Sequence, residues 1–214
     1  TPVPDPPPLT EPRAVVVEQP VNTVTVSVNW HGPSVTTDPK STYVADLLAT
    51  ALGNPTSKFY KALVESGLAF GVNFSYFTQM HVGPISIQAQ TTPDKTLELH
   101  RAILAEVDKL GDPAYVTDEE LAAAKAEVEV AQVYGREQAS SFAHTVGFWW
   151  AVAGLDYYLG YVDGMQAVTR DDIAEFARAY MIGKPHVSGA LIDPESRAAI
   201  DLTASDLLAQ EVIQ

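Results

Sequence analysis

The sequence contains no cysteine among its 214 residues. A thiol nucleophile, a thiolate-bound zinc ion and a disulfide framework are therefore excluded. The redox compartment stays open, because a cysteine-free chain suits the cytoplasm and the periplasm equally. A domain of this length buries about 70% of the surface of its unfolded chain, so it can fold without a metal or a disulfide.

Basic residues are also scarce, since 13 Lys and Arg stand against 27 Asp and Glu, for a net charge of −14. This charge repels a phosphate backbone, which disfavours nucleic acid as a partner. The apolar runs are too short and too interrupted for a membrane span. Prolines follow Thr1, in place of the basic and apolar regions of a signal peptide. Because no Met begins the chain, we expect a piece of a longer protein whose targeting segment lies elsewhere.

Three catalytic patterns are missing. The sequence has no G-x-S-x-G elbow, no phosphate loop and no dinucleotide fingerprint after its first strand. In the zinc motif H-x-x-E-H, two imidazoles one helical turn apart bind the metal and the Glu acts as general base. No two histidines here lie that close; they are His31, His81, His100, His144 and His186. Distant histidines could still converge on a metal, but a lone His is usually structural, so we expect no metal site and no catalytic residue.

Alternating apolar residues predict most of the strands. Val24, Val26, Val28 and Trp30 alternate with polar residues, which indicates a strand with one face on a core. Further strands are predicted at residues 14–18, 70–76, 85–89 and 187–192.

Helical spacing and capping residues predict the other elements. Asp38-Pro39 begins a helix that Gly53 ends, and the capping box Thr117–Glu120 begins another that runs past Tyr134. The acidic groups there and at Asp171-Asp172 are explained by capping, not catalysis. Other helices are predicted from Pro55 to Ser66, Thr92 to Gly111, Ser140 to Val152 and Thr169 to Gly183.

This order of elements predicts an α+β fold, in which a mixed or antiparallel sheet has helices packed on one face. Six of the fifteen prolines lie in residues 1–12, which we interpret as a Pro-rich interdomain linker. Residues 13–193 are predicted to form a single domain. Residues 194–214 are predicted to be an acidic C-terminal tail, weakly helical around Leu207-Leu208.

The segment S-K-F-Y-K-A-L (residues 57–63), followed by G-L-A-F (residues 67–70), resembles a known junction between helix and strand. It is similar to S-x-L-x-x-x-L-R-x-x-x-G-L-A-Y in the C-terminal domain of the pitrilysin-like zinc peptidases, which include insulin-degrading enzyme and the mitochondrial processing peptidase. G-L-D-Y at residues 154–157 and V-T-x-x-D-I at residues 168–173 resemble the end of that domain. Together the matches span residues 13–193.

The resemblance also suggests two substrate-binding positions. In family members that carry them, the Arg and Tyr of the junction help to bind the substrate backbone near the scissile bond. This sequence is one residue shorter there, and has Val64 at the Arg position and Phe70 at the Tyr position. We expect both side chains to pack as apolar groups without polar contacts to a substrate.

As the resemblance implies, two such halves enclose a chamber and cut unfolded peptides. The chain would then be the non-catalytic C-terminal half of a zinc metalloendopeptidase subunit, inactive alone and forming part of the chamber wall. Zinc would be bound by an N-terminal half outside this chain. The expected partners are that half, a homologous partner subunit and peptide substrates.

Two alternatives stay open. The chain could belong to an inactive structural relative, similar to the core proteins of respiratory complexes, that serves as an assembly or peptide-binding module. A self-contained hydrolase with an unfamiliar site is a more distant alternative. An H-x-x-E-H motif upstream of Thr1 would favour the peptidase, and its absence would favour the structural relative.

Two aromatic features have undecided roles. The strand Phe70–Phe77 could bind an extended peptide if it lies at a sheet edge, although its side chains are expected to pack on the core. Of Trp149 and Trp150, which point about 100° apart on a helix, one is expected in the core and the other near an interface.

Overall fold

Five strands form one mixed sheet in the computed structural model, which describes residues 6–208. Their order across the sheet is β1-β5-β2-β4-β3. β1 and β5 are parallel, and every other neighbouring pair is antiparallel. The predicted α+β class is confirmed. The strands are β1 (Arg13–Glu18), β2 (Val24–His31), β3 (Gly71–Tyr76), β4 (Pro84–Thr91) and β5 (Val187–Ile192).

Nine α-helices accompany the sheet within residues 6–208. They are α1 (Pro39–Gly53), α2 (Lys58–Tyr60), α3 (Thr96–Lys109), α4 (Asp118–Tyr134), α5 (Ala139–Val152), α6 (Leu155–Leu159), α7 (Tyr161–Gln166), α8 (Arg170–Tyr180) and α9 (Pro194–Ala199). A π-helical turn, Lys61–Glu65, continues α2, and a 3₁₀ turn, Pro93–Lys95, precedes α3.

One face of the sheet carries the core, because alternate residues of each strand point to the same side. Val28 of β2 lies opposite Ile87 of β4, which lies opposite Phe74 of β3. All three are at most 4% exposed. α1 and α3 pack on the sheet, and Leu48 of α1 and Ile103 of α3 are fully buried in the same core. The helices therefore cover one face, as predicted.

The opposite face is polar and uncharged where β2, β3 and β4 form it. We call this surface the polar face; it consists of Thr25, Ser27, Asn29, Asn73, Ser75, Ser86, Gln88 and Gln90. All eight are at least partly exposed. In a chain with a net charge of −14, a sheet face made of hydroxyl and amide side chains is a distinct surface.

Side-chain caps begin three of the longer helices as predicted. The Asp38 carboxylate accepts the N–H of Ser41 at the start of α1. Thr117 and Thr169 form capping boxes with Glu120 and Asp172 at the starts of α4 and α8. Each cap satisfies N–H groups that have no partner inside the helix.

The structure describes parts of the predicted linker and of the predicted tail. Within the predicted tail, α9 is capped by Asp193, and Leu202 and Leu207 are buried in the core. Residues 6–12 form no helix or strand and are mostly exposed. The rest of the linker and of the tail, residues 1–5 and 209–214, lies outside the described residues. The division into linker, domain and tail stays a prediction.

No helix within residues 6–208 combines the length and the apolar composition that a membrane crossing requires.

Candidate functional site

β3 lies at an edge of the sheet, which answers the question that the sequence left open. Phe77 N–H donates to the Pro84 carbonyl at 3.2 Å, immediately beyond the β3–β4 pairing. In an antiparallel pair, the backbone groups of every second residue bond the neighbouring strand. The backbone N–H and C=O groups of Phe77, Ser75 and Asn73 therefore point to β4. The N–H and C=O groups of the intervening residues Val72, Phe74 and Tyr76 point away from β4. We call this row of backbone groups the free edge.

A β-bulge begins the free edge. Phe70 N–H donates to the Gln90 carbonyl at 2.8 Å, while Gly71 already pairs with Gln90 in the ladder. Two successive residues thus face one residue of β4, which interrupts the alternation of side chains. The Phe70 side chain is 62% exposed as a result. The expectation that Phe70 packs as an apolar side chain is therefore wrong.

Val64, the other substrate-binding position suggested by the resemblance, lies in the π-helical turn. It is half-buried and packs against the core, as expected. The wide turn closes with the Ser66 N–H donating to the Lys61 carbonyl at 3.2 Å, and Gly67 then adopts a φ of 79°. A left-handed backbone of this kind favours glycine. Whether Val64 or Phe70 contacts a substrate stays a prediction.

An acid group lies just beyond the other end of β3. Asp46 of α1 accepts a hydrogen bond from the Tyr161 hydroxyl at 2.7 Å and one from Thr78 at 3.5 Å. Burial raises the pKa of Asp46 to about 6, and these two hydrogen bonds counteract part of the rise. Asp46 therefore joins α1 and α7 to the segment that follows β3.

Aromatic rings pack against Tyr161, whose hydroxyl donates to this acid. We call Tyr43, Trp149, Tyr157 and Tyr161 the aromatic cluster. Tyr43 stacks on Tyr157 with 4.8 Å between ring centroids, and Trp149 lies 5.2 Å from Tyr157 and 5.5 Å from Tyr161. The cluster attaches α5 to α1, α6 and α7. Beside the cluster, the ring centroids of Phe148 in α5 and of Phe77 lie 5.9 Å apart, so α5 reaches the end of the free edge.

Trp149 and Trp150 differ in exposure, as expected from their directions on the helix, but the expectation that one of them lies in the core is wrong. Trp149 is half-buried in the aromatic cluster, whereas Trp150 is 69% exposed.

α5 contains no Asp, Glu, Lys or Arg, yet none of its residues is fully buried. Six of the twelve large exposed apolar side chains within residues 6–208 lie between Val130 and Leu159, a segment that we call the arm. They are Val130, Val133, Tyr134, Trp150, Leu155 and Leu159.

The histidines are distributed over separate parts of the fold. His100 of α3 is buried and bonds Ser188 of β5 at 2.8 Å, and burial lowers the pKa of His100 to about 4. His186 is buried against Trp30, whereas His31 and His144 are exposed. The side chains of residues 6–208 do not fit a zinc site, since no three of their His, Asp and Glu groups can share a metal ion.

Sequence reasoning missed two of these features. Nothing in the helical pattern of α1 separates Asp46 from an ordinary surface acid, because its partner Tyr161 is 115 residues away. The exposure of the arm was also missed, although the lack of charge in so apolar a helix as α5 was a usable signal.

These features define a class of protein: an α+β domain in which, within residues 6–208, no three His, Asp or Glu side chains could hold a metal ion together. The chain belongs to the family of peptidase M16 inactive domains, whose model matches residues 1–128. The family expected from the sequence is thereby confirmed.

Solved structures show the same fold. A protease from Helicobacter pylori is 20% identical, with a TM-score of 0.81 over 91% of this chain and 47% of its own. The inactive peptidase domain of a zinc protease from Bordetella parapertussis is 22% identical, with a TM-score of 0.72 over 82% of this chain and 96% of its own. A zinc protease structure from Bordetella pertussis is 25% identical, with a TM-score of 0.69 over 82% of this chain and 97% of its own.

The chain thus spans about half the length of the Helicobacter protein and nearly all of each Bordetella chain. No curated protein sequence matches it.

Proposed function

We propose that this chain is the non-catalytic C-terminal half of a zinc-dependent metalloendopeptidase that cleaves unfolded peptides. In this role the chain supplies surfaces: an interface to a zinc-bearing N-terminal half and part of the wall of the substrate chamber. Membership of the inactive-domain family supports the proposal that this half carries no catalytic group. The match to about half of the Helicobacter protease supports a two-half architecture.

The exposed apolar arm is the observation that carries the interface role. An isolated globular protein rarely exposes many large apolar side chains in one segment, and such a surface usually marks a partner. Leu159 is 72% exposed and Trp150 is 69% exposed. The N-terminal half is the proposed partner of this surface.

The polar face supports the wall role. Its hydroxyl and amide groups can bond the backbone of any peptide, since they act as both donors and acceptors. The absence of charge on this face would let peptides of different sequence move along it, which suits an enzyme for unfolded substrates.

The interface role is tested by mixing this chain with the separately produced N-terminal half and following sedimentation across a salt series. We expect the chain alone to be folded and to form weak self-contacts that strengthen with salt, because salt screens the repulsion of a −14 charge. With the N-terminal half present, a one-to-one complex should form in preference.

A pair of matched variants locates the interface. Trp150→Glu places a charge in the arm and should weaken the complex about tenfold or more. Val15→Glu is the control, because Val15 is also an exposed apolar residue (47%) but lies in β1, away from the arm. Equal effects of the two variants, or a strict monomer that ignores the N-terminal half at every salt concentration, would contradict the interface role.

A further inference from the structure

We propose that Asp46 and Tyr161 form an acid-operated latch, which holds the arm against α1 while the Asp46 carboxyl group is protonated and releases the arm when that group ionises. Tyr161 follows the arm directly, because the arm ends at Leu159 and α7 begins at Tyr161. The bond from Tyr161 to Asp46 therefore attaches the C-terminal end of the arm to α1. The latch goes beyond the proposed function, since docking of the arm is a property of this chain alone.

The hydrogen bonds of Asp46 are concentrated on one oxygen. Asp46 Oδ2 accepts both the Tyr161 hydroxyl at 2.7 Å and the Thr78 hydroxyl at 3.5 Å, and no group of residues 6–208 donates to Oδ1. In the protonated form, Oδ1 carries the proton and Oδ2 keeps its bond to Tyr161. In the ionised form, part of the charge lies on an oxygen without a protein donor, which costs free energy in a desolvated site.

No cation compensates for the ionised form, since none of the groups of residues 6–208 that act on Asp46 is positively charged. The titratable groups that face it are Tyr76 of β3, Tyr157 of α6 and Tyr161 of α7. Burial raises the pKa of each of these phenols, so all three stay uncharged at neutral pH. Charged groups on the surrounding helices bond other residues or are exposed: Lys40 bonds Asp172, Asp38 bonds Tyr180, Lys125 and Glu129 bond Gln166, and Asp163 and His144 are exposed.

The packing of α6 and α7 on α1 restricts the access of water to this carboxylate. A Cβ atom on Gly164 would lie 2.7 Å from the ring of Tyr43, so α7 approaches α1 as closely as a glycine allows. The Thr42 hydroxyl lies 2.7 Å from the Tyr157 hydroxyl, which joins α1 to α6. Full hydration of an ionised Asp46 therefore requires Tyr157 and Tyr161 to move away from α1.

The rest of the arm is attached to the domain by few contacts. Within residues 6–208, α5 packs extensively on α6 alone, and no residue of α5 is fully buried. Outside the arm, α5 contacts the domain through the rings of Trp149 and Phe148. Residues 135–138 form no helix and separate α5 from α4. The arm can therefore undock while the core of the sheet stays folded.

Proton linkage gives the size of the effect. Burial raises the pKa of Asp46 to about 6 in the docked form, whereas an undocked form titrates near the ordinary 3.8. The docked form thus keeps a proton that the undocked form has lost, so docking is most favourable below about pH 3.8 and weakens as the pH rises through about 6. The equilibrium constant for undocking should rise about tenfold between pH 5 and pH 8.

The absence of cysteine makes thiol labelling a direct test. Thr42→Cys places a single thiol beneath Tyr157, at a position with 0% exposure, where an aromatic disulfide reagent reacts only after the arm undocks. Ala143→Cys, at an exposed position of α5, corrects for the effect of pH on the thiol itself. We expect the rate of Thr42→Cys relative to Ala143→Cys to rise about tenfold from pH 5 to pH 8.

Two matched substitutions separate the latch from general effects of pH. Asp46→Asn, combined with Thr42→Cys, keeps an oxygen for the Tyr161 hydroxyl but cannot ionise, so the relative rate should change by less than about twofold over the same range. Asp163→Asn is the control, because Asp163 is an exposed acid on α7 close to Tyr161. The rise of about tenfold should persist in this control.

Val26→Cys distinguishes undocking from unfolding. Val26 lies in β2 at the centre of the sheet with 0% exposure, so its thiol reacts only when the domain unfolds. Thr42→Cys should react at least about tenfold faster than Val26→Cys. If Thr42→Cys does not fold, hydrogen exchange of the cysteine-free chain makes the same comparison. Protection of the α5 and α6 amides should then fall about tenfold from pH 5 to pH 8, and Asp46→Asn should remove this fall.

Three results would overturn the proposal. A relative rate for Thr42→Cys that does not change with pH would show that no titrating group controls docking, and equal pH dependence in Asp46→Asn and Asp163→Asn would assign control to another group. Equal rates for Thr42→Cys and Val26→Cys would show that the arm does not undock as a unit.

The N-terminal half enters only a last measurement, which rests on the proposed function. Because the docked arm presents the surface assigned to that half, adding the half should slow the reaction of Thr42→Cys. The absence of slowing would count against the proposed function alone, since the other measurements do not contain the N-terminal half.

Discussion

Trp30 of β2 is 2% exposed, whereas Trp150 of α5 is 69% exposed. The first belongs to a sheet whose core residues are supported from the helix side, and the second belongs to the arm, where no residue of α5 is fully buried. Both regions are apolar in sequence, so composition does not distinguish them. The difference indicates that the sheet maintains the fold of this chain, while the arm is available to a partner.

Truncating the core should cause the largest loss of stability. Ile87 is 0% exposed and lies between Val28 and Phe74 in the sheet. Ile87→Ala should lower the free energy of unfolding by about 2–5 kcal/mol, because a cavity remains among the neighbouring side chains. Leu159→Ala in the arm, at a site 72% exposed, should change it by about 0.5 kcal/mol or less. Urea unfolding checks both, and similar losses would remove the distinction between the two regions.

Acid should also weaken the sheet region, through His100. Burial lowers the pKa of this group to about 4, below the 6.5 of an exposed imidazole. The unfolded chain therefore binds a proton that the folded chain refuses, so the stabilisation is present above about pH 6.5 and is lost as the pH falls toward about 4, by up to about 3 kcal/mol.

His100→Gln removes this titration while keeping a side chain that can bond Ser188. The variant should lose less stability between neutral and acidic pH than the unmodified chain does, as measured by urea unfolding at each pH. Identical losses in the two proteins would show that His100 does not govern the acid response.

Asp46 should respond to pH in the opposite direction. Its folded pKa of about 6 lies above the ordinary 3.8, so its contribution is most favourable below about pH 3.8 and is lost as the pH rises through about 6. Asp46→Asn still accepts the Tyr161 hydroxyl and avoids a desolvated charge. Thermal unfolding at about pH 8 should show a gain of about 1 kcal/mol that shrinks at about pH 4. A loss at the higher pH would mean that the ionised carboxylate is stabilising there.

The smallest effect is expected at Phe70. Its ring is exposed and its backbone is held by the bulge, so Phe70→Tyr adds a hydroxyl that points to water. In the assembled two-half enzyme, kcat/KM should change by about twofold or less. A large change with unaltered stability would show that this position contacts the substrate or the transition state.

The sequence predicted those helices and strands that are determined by residues close together in the chain. The alternation of Val24, Val26 and Val28 gave the central strand, and the capping boxes at Thr117 and Thr169 gave the starts of α4 and α8. In each case neighbouring residues determine the structure, so the pattern is visible in a short window.

Features that depend on distant partners were not predictable in this way. The exposure of Phe70 results from a bulge against Gln90 on the next strand, and the edge position of β3 results from the strand order of the whole sheet. The burial of Leu207 was not predicted either, because it depends on contacts with core residues that are distant in the sequence. The residues of the candidate site fall in this second group.

We expect this chain to contribute surfaces and no catalytic group. The most direct test measures zinc content and the cleavage of an unstructured peptide, for the chain alone and for its mixture with the N-terminal half. We expect neither zinc nor cleavage for the 214-residue chain alone, and both in the mixture, with the zinc retained by the other half on separation. One tightly bound zinc per chain in the isolated protein, retained after mild chelation, would contradict it.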